Sequence, residues 1–171
     1  MSLLSYPLVW ILGLVVIQRL GELVLASANT RRLMARGGQE IGRRHYPLFI
    51  LLHGSWLVAI ALTTPIQTQP NWLLIGVFVV LQLLRVWVIA TLGPYWTTRI
   101  ISVEGAPIVR GGPFRFVRHP NYCVVICEIA VLPLAFGNWP VAIVWSLLNA
   151  FLLRHRIGVE MAALAEREAA A

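Results

Sequence analysis

The chain has 171 residues, 58% of them hydrophobic and 12% charged, with a net charge of +7. An average soluble domain is about 45–50% apolar, so the composition excludes a disordered chain, a disulfide-stapled secreted domain and most soluble enzymes. All 14 basic residues are Arg and all 7 acidic residues are Glu; the Arg residues fall between apolar runs and not in an aromatic-studded groove, which points to membrane phosphates and away from nucleic acid.

Spanning a bilayer as a helix takes about 20 predominantly apolar residues, and five runs reach or approach that length. The first, residues 7–28, is halted by Arg31 and Arg32 and reads as a span, not a cleavable signal, since no positive region precedes it. The second covers 47–64 and the third 72–92, closed by Gly93-Pro94. The fourth and fifth, 120–136 and 139–153, are short and joined by Gly137-Asn138, which predicts a tight helical hairpin. The expected fold is therefore an all-α integral membrane protein with five transmembrane helices and a C-terminal helical hairpin, forming a single membrane domain over 1–171.

The loops supply an orientation. Arg31, Arg32, Arg36, Arg43 and Arg44 lie between runs one and two, Arg99, Arg110, Arg115 and Arg118 between three and four, and Arg154, Arg156 and Arg167 after run five. The connections 65–71 and 137–138 carry no charge. Because cytoplasmic loops collect Arg and Lys, the N-terminus is expected outside and the C-terminus in the cytoplasm. Lys-free, Arg- and Ala-rich composition suggests a bacterial cell membrane. Cys123 and Cys127, four apart in an apolar run, read as small packing residues.

Residues 93–118 make a long connection for a compact bundle, and such loops are usually functional when they are not disordered. This one holds Tyr95, Trp96, Ile100, Ile101, Phe114 and Phe116, enough apolar surface to pack, and Gly111-Gly112-Pro113 permits a sharp turn. It feeds Arg118-His119-Pro120-Asn121-Tyr122, with Pro120 at the first turn of a predicted helix. Two readings stand for this segment: an anion site at a helix N-terminus, or interfacial anchors with Tyr122 in an aromatic belt. Glu128, inside the fourth run, is either a functional carboxylate or the partner of Arg85 and the Arg19/Glu22 pair. Beyond the fifth run, continued helix places Arg156 and Glu160 on one face, either as a surface ion pair or as a lid converging with His119. His45, His53, His119 and His155 show no metal-ligand spacing, and no phosphate-binding or dinucleotide motif occurs.

Gly112-Pro113-Phe114-Arg115 running into Arg118-His119-Pro120-Asn121-Tyr122, an apolar hairpin, and then Arg156-Ile157-Gly158-Val159-Glu160 resembles the isoprenylcysteine carboxyl methyltransferase family, itself related to membrane phospholipid methyltransferases. Leu92 to Ile100 is similar to the compact bacterial members. The resemblance implies a cytoplasmic cofactor pocket, with a three-helix N-terminal part over 1–92 and a methyltransferase core over 93–171 containing the hairpin 120–153. It implies S-adenosylmethionine as methyl donor, leaving S-adenosylhomocysteine, and a lipophilic or prenylated acceptor arriving from the membrane lipid. His119, Pro120, Tyr122 and Glu160 are then cofactor-binding, with Trp96 or Tyr122 lying against the cofactor, and Arg156 meets the acceptor's reacting group. Met161 stands where many members carry a second Glu, and Val124 where many carry Gly.

Methyl transfer from a sulfonium is an in-line displacement that depends on alignment in a site with little water. A carboxylate acceptor needs only orientation by Arg156; a phenol or enol also needs a base, for which Glu128 and His119 are the candidates. The acceptor is expected to be a small lipid-like polyketide hydroxyl or acid, with a prenylcysteine carboxylate as the family default. Phospholipid N-methylation, a membrane reductase and a non-enzymatic membrane scaffold are the competing readings.

Overall fold

The computed structural model describes residues 5–107 and 109–169. Five helices form the molecule: α1 (Pro7–Ala35), α2 (Tyr46–Thr63), α3 (Trp72–Leu92), α4 (Pro120–Ala135) and α5 (Trp139–Ala169). Two three-residue strands, β1 (Gln39–Ile41) and β2 (Ile100–Ser102), pair antiparallel, Glu40 opposite Ile101. The all-α expectation thus misses one strand pair. Its segments are too short to carry an alternating pattern, and it is built from the two connections richest in Arg. Arg167 and the alanines at 170 and 171 lie outside the described side chains or residues.

Helices α1, α2 and α3 are long and apolar enough to cross a membrane, while α4, at 16 residues, is a shorter apolar helix. At 1.5 Å per residue α4 is about 24 Å long against a hydrocarbon core of about 30 Å. Helix α5 runs without a break from Trp139 through the apolar stretch into the charged one, so three spans and a shorter apolar helix stand where five spans were expected. Leu14, Ile17, Val24, Leu62, Leu73 and Phe151 are exposed along the outer faces, an apolar surface far larger than a soluble monomer tolerates.

Helix α4 is the centre of the bundle, packed chiefly against α3 and α5. Val125, Ile129, Leu132 and Ala135 join Leu8, Ile11, Trp56, Ile60 and Phe78 in the core. Pro133 sits inside α4 and has no N–H to give the carbonyl of Ile129, four residues back. The indole of Trp56 takes that role, donating to Ile129 O at 3.2 Å.

The two ends of the bundle differ. At one end the uncharged connections are stitched together by Asn138, whose amide donates to Thr63 and Thr64 at 2.8 and 2.9 Å, and by the Asn71 N–H, which donates to Ala135 O at 2.7 Å. Asn71 also caps α3, accepting from Leu73 and Leu74. At the other end lie β1, β2 and the long 93–119 connection. Asn29 of α1, almost wholly buried, donates to Gly93 O and Trp96 O and so fixes the entry of that connection. Gly112, at φ +54, lets its exit lie against Thr91, into which any Cβ would project.

Candidate functional site

Each polar side chain at this end is placed by a different element. His119 is the N-cap of α4 without a side-chain cap bond; instead its carbonyl accepts from the N–H groups of Tyr122 and Cys123. Tyr122, one turn into α4, stacks on the His119 ring with centroids 5.3 Å apart. Its hydroxyl donates to Glu160 of α5 and accepts from Arg156 Nε at 2.9 Å. The His119 Nδ1 lies 3.9 Å from the Glu160 carboxylate.

Arg156 is the hinge of the arrangement. Only 8% exposed, it spends Nη2 on the Thr98 carbonyl at 2.9 Å and lies over the ring of Phe49, 5.1 Å from its centroid. Thr98 is in turn held by Tyr46, whose hydroxyl is 3.1 Å from Thr98 Oγ1. Next to it Arg99 sets Nη1 between the two carboxylate oxygens of Glu40 of β1, both contacts at 2.9 Å, which ties the strand pair to the wall of the site.

These groups surround two adjoining cavities of about 280 Å³ each. The first is walled by the 93–119 connection and includes Trp96, Arg118, His119, Pro120, Tyr122, Arg156 and Glu160. The second runs between α1 and α2 and is largely apolar, with Val16, Leu20, Leu57, Val125 and Leu153 among its walls. Trp96, Thr97, Asn121, Tyr122 and Arg156 border both. The Oδ1 of Asn121, at that seam, is buried without a hydrogen-bond partner, an acceptor left over for a donor that the chain does not provide.

Six of the seven residues singled out from sequence, Trp96, His119, Pro120, Tyr122, Arg156 and Glu160, line the first cavity together. Glu128 does not. It is 1% exposed and accepts from Gln82 at 2.8 Å, Arg19 at 2.8 Å and Arg85 at 3.1 Å, inside the ion-pair network that was the alternative reading for it. Sequence reasoning missed Tyr46, Phe49 and His53, which recur at helical spacing along α2 and line the second cavity; that stripe of rings in an aliphatic helix was the available signal. It also missed Thr98, which acts through its carbonyl, a group every residue carries.

Burial, with the Arg156 guanidinium and His155 beside it, holds His45 below its ordinary value of 6.5. Its ring packs edge-on against His155 at 5.2 Å.

A bundle of long apolar helices, with a cavity lined by charged and polar groups at one end beside a largely apolar one, is the architecture of a helical membrane protein. The chain matches the isoprenylcysteine carboxyl methyltransferase family over residues 73–166, more than half its length, and it belongs to that family. It is 36% identical over 162 residues to the uncharacterized protein YpbQ of Bacillus subtilis, covering 92% of this chain and 96% of that one. An uncharacterized protein of Haemophilus influenzae is 28% identical over 153 residues, covering 85% and 88%. No solved structure matches the chain.

Proposed function

We propose that this protein is an S-adenosylmethionine-dependent O-methyltransferase acting on a lipophilic acceptor at the cytoplasmic face of a bacterial membrane. The observation that carries the reading is the seam: a polar cavity and an apolar one meet at Trp96, Asn121, Tyr122 and Arg156. Family membership supplies the reaction class. The Arg-rich connections give the orientation, with five helices crossing or nearly crossing the bilayer and residues 93–171 forming the catalytic core.

The residues of the first cavity suit such a cofactor. Glu160 accepts from ribose or amino donors, Trp96 and the His119–Tyr122 stack offer flat faces, and the unpartnered Asn121 oxygen awaits a donor. Arg118 and His119, which line the first cavity at the start of α4, would hold the cofactor's carboxylate. When bound, the cofactor supplies a methyl group on positively charged sulfur, an electrophile that needs no metal.

The chain's own residues supply the rest. Arg156 is buried and held in place by Tyr122 and Thr98, so its guanidinium orients an acceptor oxygen at the seam without costly reorganisation. Phe49 and Trp96 keep water from the reacting atoms. For a hydroxyl acceptor, His119 is the group at the first cavity that can take the proton and share it with Glu160, 3.9 Å away. Glu128, engaged on both oxygens by Gln82, Arg19 and Arg85, serves as a structural counter-charge. The acceptor class we favour is a small lipid-like polyketide hydroxyl or acid, with a prenylcysteine carboxylate as the family alternative.

Calorimetric titration of S-adenosylmethionine and S-adenosylhomocysteine into the detergent-solubilised protein tests the reading. Wild type should bind both, and Glu160→Ala and His119→Ala should each weaken binding by about 10- to 100-fold, the worth of a charge-assisted hydrogen bond. Folded wild type that binds neither ends the proposal.

A further inference from the structure

The second cavity has a polar belt that a plain hydrocarbon chain does not need. Beyond the seam, its walls include Arg19 and Glu22 of α1, Arg85 of α3 and His53 of α2. Phe49 lies beneath Arg156, and His53 is four residues further along α2. His53 is therefore about 6 Å beyond Phe49 along the α2 axis, one helical turn.

Three observations describe what the belt lacks. First, its charges already balance: Arg19 and Arg85 face Glu22 and Glu128 in contacts of 2.6–3.1 Å. A further anion would meet two carboxylates with no spare cation, at a high cost in a low-dielectric interior. Second, Arg85 engages all three of its guanidinium nitrogens with the two carboxylates, whereas Arg19 engages two, and its Nε is buried with no partner. A buried unmet N–H is a donor awaiting an oxygen. Third, His53 Nδ1 is 2.8 Å from the Phe49 carbonyl. A carbonyl only accepts, so Nδ1 carries the proton and Nε2 is left as an acceptor.

We infer that Arg19 and His53 are specificity-determining residues that select an acceptor lipid carrying a second, uncharged hydroxyl about one helical turn beyond its reacting oxygen. A hydroxyl is the group that both accepts from Arg19 Nε–H and donates to His53 Nε2. A carboxylate is disfavoured by the balanced charge, and an unfunctionalised prenyl or alkyl chain leaves both groups desolvated and unmet. The inference rests on the second cavity holding the acceptor, as in the function proposed above, and it narrows that acceptor's class.

The test compares tetradecanoic acid with 5-hydroxytetradecanoic acid, whose two oxygen functions have roughly this separation. Affinity for each is measured by calorimetry on the detergent-solubilised full chain, with S-adenosylhomocysteine titrated into the same preparations. Wild type should favour the hydroxy acid about tenfold, and the ratio should fall toward one in His53→Leu and in Arg19→Lys, which keeps the charge and moves the donor. Equal affinities in wild type, or an undiminished ratio in His53→Leu, overturn the inference. The wild-type and His53→Leu ratios decide it even should Arg19→Lys fail to fold. A tenfold ratio without S-adenosylhomocysteine binding sinks the methyl-transfer reading and leaves the belt standing; cofactor binding with a ratio of one does the reverse.

Discussion

Two polar clusters flank α4, and they are built on opposite principles. The one around Glu128 has its carboxylates engaged: both accept on both oxygens, from Arg19, Arg85, Gln18 and Gln82, with the unmet Arg19 Nε–H left as a donor. The one around Tyr122 is open: His119 and Glu160 keep 21% and 29% of their side-chain surface exposed, and Asn121 keeps an unmet oxygen. The contrast teaches how to weigh a charged residue in an apolar chain. A carboxylate that accepts from its own chain on both oxygens is part of the scaffold, and one with an oxygen to spare is available to a ligand.

The largest effect should come from breaking the cluster around Glu128. Glu128→Ala leaves Arg19 and Arg85 short of a counter-charge in the middle of the bundle, at a cost of about 3–5 kcal/mol, read as a large drop in thermal midpoint in detergent. Unchanged stability would mean that the network is not the scaffold described here. A smaller effect should come from the open cluster. Tyr122→Phe removes the hydroxyl that bridges Arg156 and Glu160, and should lower kcat/KM about tenfold while the midpoint moves little; an equal loss of stability would make Tyr122 a scaffold residue too. The smallest effect concerns His45, which borders the open cluster through Arg156. Its folded pKa lies below the 6.5 of the unfolded chain, so the unfolded state takes up a proton first as the pH falls. Its contribution to stability is complete above about pH 6.5, and is lost as the pH drops from there through the folded value. His45→Gln should flatten that acid limb of a midpoint-against-pH curve, and an unaltered limb would assign it to another group.

How much of this was legible in advance depends on the range of the interaction. Helix starts and ends are readable because Pro7, Pro47, Pro120 and Gly93 act locally; the spacing of Arg156 and Glu160 left their convergence with His119 as one of two readings, and the rest of the first cavity came from the family resemblance. The strand pair was not legible: Gln39–Ile41 offers no alternation, and it forms because Glu40 finds Arg99, 59 residues away. Nor was the reach of Asn29 to the carbonyls of Gly93 and Trp96. Arg19, Glu22, Arg85 and Glu128 could be named as possible partners, yet which oxygens are filled and which nitrogen is spare depends on how three helices are rotated, and hydrophobic periodicity is nearly silent when the outer faces are as apolar as the inner ones.

The Trp56 bond to Ile129 couples two distant positions. An ordinary residue at Pro133 would return a backbone donor to the Ile129 carbonyl, and the indole N–H would share that oxygen where it now stands in for the missing bond, so a change at Pro133 is expected to alter what the tryptophan is worth.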